Sequence, residues 1–135
     1  MGYRIQNNTR CGVIGYGSWA TALVHTLEKN KKEIWWHIRN EEVLESMQTE
    51  GRNAKYLSDI EFNKDRVIAT SDLNEVVLNC EIILVAAPSA YLKKFLEELT
   101  EPLDGKFILS ATKGIVPDEL ITITEYFNRT YNLPY

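Results

Sequence analysis

The run GVIGYGSWATAL (12–23) constrains this chain more than any other stretch. A β-branched segment, RCGVI (10–14), meets two glycines one residue apart. Apolar positions at helical spacing follow at once: Ala20, Leu23, Val24 and Leu27, within a helix expected over 18–29. A strand that turns straight into a helix must cross over before the next strand, and right-handed crossovers lay successive strands parallel.

The rest of the chain keeps this alternation. EIWWHI (33–38) reads as a second strand whose Trp35 and Trp36 point to opposite faces, as suits a strand covered on both sides. EEVLESMQ (41–48) reads as a helix with acids in its first turn. After a polar loop containing GRNAKYLSD (51–59), RVIAT (66–70) is a third strand. SDLNEVVLN (71–79) is a short helix capped by Ser71 or Asp72. EIILVAA (81–87) is almost wholly apolar, as expected of a central parallel strand, and Pro88 ends it. An amphipathic helix (90–99), a fifth strand KFILSAT (106–112) and a helix rich in β-branched residues (118–131) complete the series. The expected fold is therefore one α/β domain over 1–135: a doubly wound, Rossmann-like, mostly parallel sheet with helices on both faces. The series stops after a helix, where a further strand would be expected, which reads as the edge of a larger protein.

Composition narrows the partners. A net charge of −4 gives no support to nucleic-acid binding, which calls for a clustered basic face. No apolar run is long enough for a membrane span and the N-terminus has no signal-peptide core, so a cytoplasmic location is expected. The sequons at Asn7 and Asn128 are then chance matches. Cys11 and Cys80 have no metal-ligand spacing and read as buried thiols, with a disulfide open only if their strands are neighbours. His25 and His37 have no partner that suggests a metal or an acid–base role and read as structural, and Tyr126, Phe127 and Tyr131 read as a cover for the sheet.

Gly15, Gly17 and Ala20 fit G-x-G-x-x-[G/A] in the strand-to-helix setting that gives the pattern meaning. Gly15 permits the tight turn, Gly17 lets a diphosphate approach the backbone, and Ala20 lets the helix pack close to the strand. The helix N–H groups then face the phosphates. At the tip of the second strand, where an NAD-selective site carries an acid, stands Arg39, whose guanidinium can pair with a 2′-phosphate. The cofactor expected is NAD or NADP, leaning to NADPH; the alternative for Arg39 is a surface pair with Glu41 or Glu42. VAAPSA (85–90) puts small residues at the mouth of the fourth strand, or simply a turn capped by Ser89. Lys113, before Gly114, either leans into the same crevice or stays in water.

Together these residues resemble the bacterial-type NAD(P)-dependent glycerol-3-phosphate dehydrogenases. GYGSWATAL is similar to their glycine turn, and an aromatic second strand ending in Arg39, NAKYL (53–57), VAAPS and TKGI follow in order. The resemblance implies that Ser18 and Trp19 bind the dinucleotide, that Arg39 and Tyr56 contact the cofactor, and that Lys113 contacts both cofactor and substrate. The implied substrate is a phosphorylated triose: dihydroxyacetone phosphate is reduced to sn-glycerol 3-phosphate for glycerophospholipid synthesis. The catalytic lysine is expected in a second, helical domain beyond these 135 residues, so this chain alone is expected to be inactive. A homodimer is one assembly open to the longer enzyme. Ala20 replaces the usual glycine, Ala87 stands where valine is common, and Asn40 stands where many members carry a second basic residue, which weakens the NADP preference. The alternatives are another two-domain dehydrogenase, of the ketopantoate reductase or 6-phosphogluconate dehydrogenase type, and a non-catalytic nucleotide-sensing module.

Overall fold

The computed structural model describes residues 10–30, 33–87, 93–94, 97–103, 105–111, 115–116 and 121–122. Strand β1 (Cys11–Ile14) leads into helix α1 (Ser18–Lys29), and β2 (Ile34–His37) into α2 (Glu41–Glu50). Next come β3 (Val67–Thr70), α3 (Leu73–Asn79), β4 (Ile82–Val85) and β5 (Phe107–Ser110). The five strands form one parallel sheet in the order β3-β2-β1-β4-β5. The chain thus builds outward from β1 in one direction and then returns to add β4 on its other side. The carboxyl end of β1 lies at that switch point, where ligands of such sheets gather.

Alternation along the strands sorts the core into two layers. Val13, Ile34 and Trp36 pack with Ala20 and Val24 of α1 and with Val43 and Met47 of α2. Ile14, Ile83 and Val85 pack with Leu73, Val76 and Val77 of α3. The two tryptophans divide as expected: Trp36 is wholly buried in the first layer, and Trp35 packs, partly buried, against the second. The Trp36 ring meets Phe62 edge-on at 5.6 Å. Loss of such a ring from a core costs about 3–5 kcal/mol.

Helix α2 runs two residues past the expected end and stops at Gly51, whose left-handed φ of 72° closes the last turn. Asp72, rather than Ser71, caps α3. Both cysteines are free and buried, with Cys80 at the end of α3 rather than on a strand. The helix expected over 118–131 is corrected in part. Ile121–Thr122 is a strand, β7, paired antiparallel with β6 (Ile115–Val116). The run Ile121, Thr122, Ile123, Thr124 is β-branched throughout, and stiff χ1 rotamers favour an extended backbone. Pro88, Ser89, Lys113, Gly114, the cluster Tyr126, Phe127 and Tyr131, and most of the helix expected over 90–99 lie outside the described residues; Lys93 and Lys94 of that helix are helical.

Candidate functional site

The turn between β1 and α1 is built by fixing its carbonyls. Ile14 O accepts from Ala86 N at 2.8 Å, which ties the end of β1 to the end of β4. Gly15 O accepts from the buried Trp36 Nε1 at 2.5 Å. Tyr16 O accepts from Asn53 Nδ2 at 3.0 Å. Gly17 O accepts from Thr21 N at 2.9 Å and Thr21 Oγ1 at 2.7 Å. Four consecutive carbonyls are thus held by the protein's own donors. A backbone whose carbonyls turn inward can present its amides outward.

The two glycines serve different purposes. Gly15 has φ +115°, and a Cβ there would lie 2.7 Å from Ala86 C and Ala87 N, both backbone atoms. The fold itself demands glycine at this position. Gly17 is extended, at φ −77° and ψ −170°, and a Cβ there would meet no atom within 4 Å. Nothing among the described residues requires glycine at 17, and the space beside its bare backbone is open.

Helix α1 starts at Ser18 with no side-chain cap and no acid in its first turn. Its first N–H groups and the positive end of its dipole are therefore not answered by a side chain of its own first turn, and such a helix start can receive an anion. Ser18 and Trp19 are exposed there, Trp19 by 58%. The indole does not hang free: its Nε1 donates to Ala111 O at 2.9 Å, so Trp19 spans from α1 to the residue just after β5. Lys113, two positions further along, lies outside the described residues.

Asn53 joins a second region to this turn. It is fully buried, and besides Tyr16 O its Nδ2 donates to Thr21 Oγ1 at 2.9 Å. Its Oδ1 accepts from Lys55 N at 3.0 Å and Tyr56 N at 3.1 Å. One amide therefore places the loop bearing the half-exposed Tyr56 against the glycine turn. In the sequence Asn53 stands out only as part of NAKYL; what marks it is an amide that reaches Tyr16 O and Thr21 Oγ1 at the glycine turn, which no local pattern reveals.

Arg39 stands just past β2, whose end pairs in register with the end of β1 (Ile14 with His37). Among the described residues its ion pair is with Glu98 rather than with Glu41 or Glu42: Nη2 lies 3.4 Å from Glu98 Oε1, and Nη1 donates to Lys94 O at 3.5 Å. Asn40 caps α2, its side chain accepting from Val43 N at 3.0 Å. Burial is the largest influence on His37 and pushes it below the usual 6.5, opposed in part by Glu98, so the ring is neutral at pH 7. Burial, with Cys11 and Glu81, pushes the Cys80 thiol up to about 12, far from a reactive thiolate. His25 packs edge-on against Phe62 at 6.0 Å, a structural setting. Among the described residues, no cluster of His, Cys, Asp or Glu could hold a metal ion, and no helix is long and apolar enough to cross a membrane.

This geometry has close parallels. A family model described as the NAD-dependent glycerol-3-phosphate dehydrogenase N-terminus matches residues 10–133. The glycerol-3-phosphate dehydrogenase, NAD(P)+, of Treponema denticola is 37% identical over 123 residues, covering 83% of this chain and 34% of that protein. The enzyme of the same name from Macrococcus caseolyticus is 31% identical over 114 residues, covering 84% of this chain and 34% of that protein. The crystal structure of glycerol-3-phosphate dehydrogenase from Coxiella burnetii superposes with a TM-score of 0.83 at 22% identity, covering 95% of this chain and 39% of that one, a likeness of fold. The chain spans about a third of the length of the curated relatives it matches.

Proposed function

Since the chain belongs to the family of NAD-dependent glycerol-3-phosphate dehydrogenase N-termini, we propose that it is the unit holding NAD or NADP for the interconversion of dihydroxyacetone phosphate and sn-glycerol 3-phosphate. The observation that carries this reading is the glycine turn, with its carbonyls of residues 14–17 bound internally and the helix behind it uncapped. That arrangement suits a diphosphate: backbone donors face it, the helix dipole favours its charge, and Gly17 leaves it room.

Each residue then has a distinct task. Gly15 and Gly17 shape the diphosphate cradle, and Ser18 adds a hydroxyl donor at its edge. Trp19 walls the cradle towards β5. Arg39 meets the adenosine ribose, Tyr56 flanks the cofactor from the loop held by Asn53, and Lys113 serves both cofactor and phosphorylated substrate. When bound, the dinucleotide supplies the hydride acceptor or donor for the carbon bearing the hydroxyl. None of these 135 residues is assigned the accompanying proton transfer, which we place in the remaining length of the enzyme. The product is a precursor for glycerophospholipids.

Titration of this chain with NADH and with NADPH, following tryptophan fluorescence, tests the reading. Binding of either should perturb the Trp19 signal, and Trp19→Phe should abolish most of the change while the chain still binds by calorimetry. A chain that binds neither dinucleotide at millimolar concentration would remove the basis of the assignment. The purified chain should show no ketone reduction.

A further inference from the structure

Sites of this topology read the adenosine ribose just beyond the second strand, with an acid for the 2′-hydroxyl or a cation for the 2′-phosphate. This chain has the cation, Arg39, and no acid adjoining it before Glu41. The structure brings an acid there from 59 positions away: Glu98 Oε1 stands 3.4 Å from Arg39 Nη2. Its placement is held by more than the ion pair. Asn74, in the first turn of α3, donates through Nδ2 to Glu98 O at 3.0 Å and accepts at Oδ1 from Thr100 N at 2.7 Å and Glu101 N at 2.9 Å. The backbone that carries Glu98 is therefore pinned to the sheet's helix layer.

The pair is also open to exchange. The side chains of Arg39 and Glu98 are 35% and 42% exposed, and 3.4 Å is longer than the roughly 2.7–2.9 Å of a tight charged hydrogen bond. An incoming ligand can reach both groups. The two cofactors would meet this pair differently. A ribose hydroxyl is a donor and can bond the carboxylate. A 2′-phosphate carries close to two negative charges and must take Arg39 while facing Glu98. The nearby His37 is neutral and offers no compensating charge.

We infer that Glu98 is a specificity-determining residue of the adenosine end, a carboxylate that accepts the ribose of NAD and penalises the 2′-phosphate of NADP by competing for Arg39. The inference rests on the dinucleotide reading given above. It also revises the lean to NADPH that Arg39 suggests alone: the pair makes the chain accept both cofactors, with the unphosphorylated one favoured beyond what the arginine implies.

The test is calorimetric titration of the whole chain and its variants with NADH and NADPH. Glu98→Gln should raise the NADPH-to-NADH affinity ratio about tenfold, equivalent to about 1.4 kcal/mol. Glu98→Asp, which keeps the charge but shortens its reach, should fall between. Glu97→Gln removes the same charge one residue away and should leave the ratio unchanged. The rise for Glu98→Gln should shrink in high salt, as expected of exposed charges. An unchanged ratio in Glu98→Gln, with wild type still binding, would refute the selector and leave the dinucleotide site standing. So would an equal rise in Glu97→Gln, which would make the effect one of net charge. Failure of the wild-type chain to bind either cofactor would overturn the site and the selector together.

Discussion

Helix α1 begins differently from α2 and α3. The side chain of Asn40 accepts from Val43 N at the start of α2, and Glu41 and Glu42 occupy the first turn. Asp72 accepts from Asn74 N and Glu75 N at the start of α3, and Glu75 lies in that turn. Both helices answer their own exposed N–H groups with the protein's own oxygen and charge. Helix α1 has neither device. The polar side chains around its start serve the carbonyls of the preceding turn instead: Thr21, Asn53 and Trp36 all donate to that turn. Two of these three helices are capped by the protein's own side chains. The third is open at its start, which is the opening that the proposed dinucleotide would fill.

The largest test of this contrast is Gly15→Ala. Its Cβ would lie 2.7 Å from backbone atoms of Ala86 and Ala87 at a φ of +115°. The turn cannot give way without separating β1 from β4. The expected loss is at least about 3 kcal/mol in urea unfolding, with dinucleotide binding lost alongside. Next is Gly17→Asp, which gives α1 the cap it lacks. The backbone at 17 is already extended as an N-cap requires, and space for the side chain is open. Stability should rise by about 0.5–1 kcal/mol, a few tenths from the cap itself and the rest from the carboxylate's attraction to the helix dipole. NADH affinity should fall by about a hundredfold, because the same carboxylate occupies and repels what the diphosphate needs. Stability and binding move in opposite directions. If they fell together, the bare helix start would be a weakness of the fold rather than a binding surface.

Much of the scaffold was legible because its elements are local. The Gly15–Gly17 turn, the start of α1 at Ser18 and the short β-branched strand β1 follow from composition, period and turn chemistry that neighbours in sequence decide. The apolar run of β4 announced its central place in the sheet. What escaped is non-local. The Asn53 amide acts on Tyr16 across 37 positions, and the Trp36 indole on Gly15 across 21. A tryptophan in a strand reads as apolar bulk, so its single donor goes unnoticed. Glu41 and Glu42 are the acids near Arg39 in sequence, yet both lie in the first turn of α2, and the connection between β4 and β5 supplies Glu98 instead. The helix expected over 118–131 failed where β-branched residues override a loose amphipathic pattern.

The smallest effect is the most discriminating control. Asp72→Ala removes the cap of α3, whose carboxylate bonds Asn74 N at 3.0 Å and Glu75 N at 3.4 Å. Helix α3 has only seven residues and presses Leu73, Val76 and Val77 into the core. Packing will hold it in place, so the cost should be that of the cap alone, about 1 kcal/mol, or a melting point lower by about 4 °C. NADH affinity should stay within about twofold of wild type, because the exposed amides that result are those of a helix that was never the diphosphate's. NADH is the right probe, since Asp72 lies near His37 and its charge could reach a 2′-phosphate. A large drop in NADH affinity would mean that any loosened helix start disturbs the site. The distinction between a helix finished by its own side chain and one finished by a ligand would then be lost.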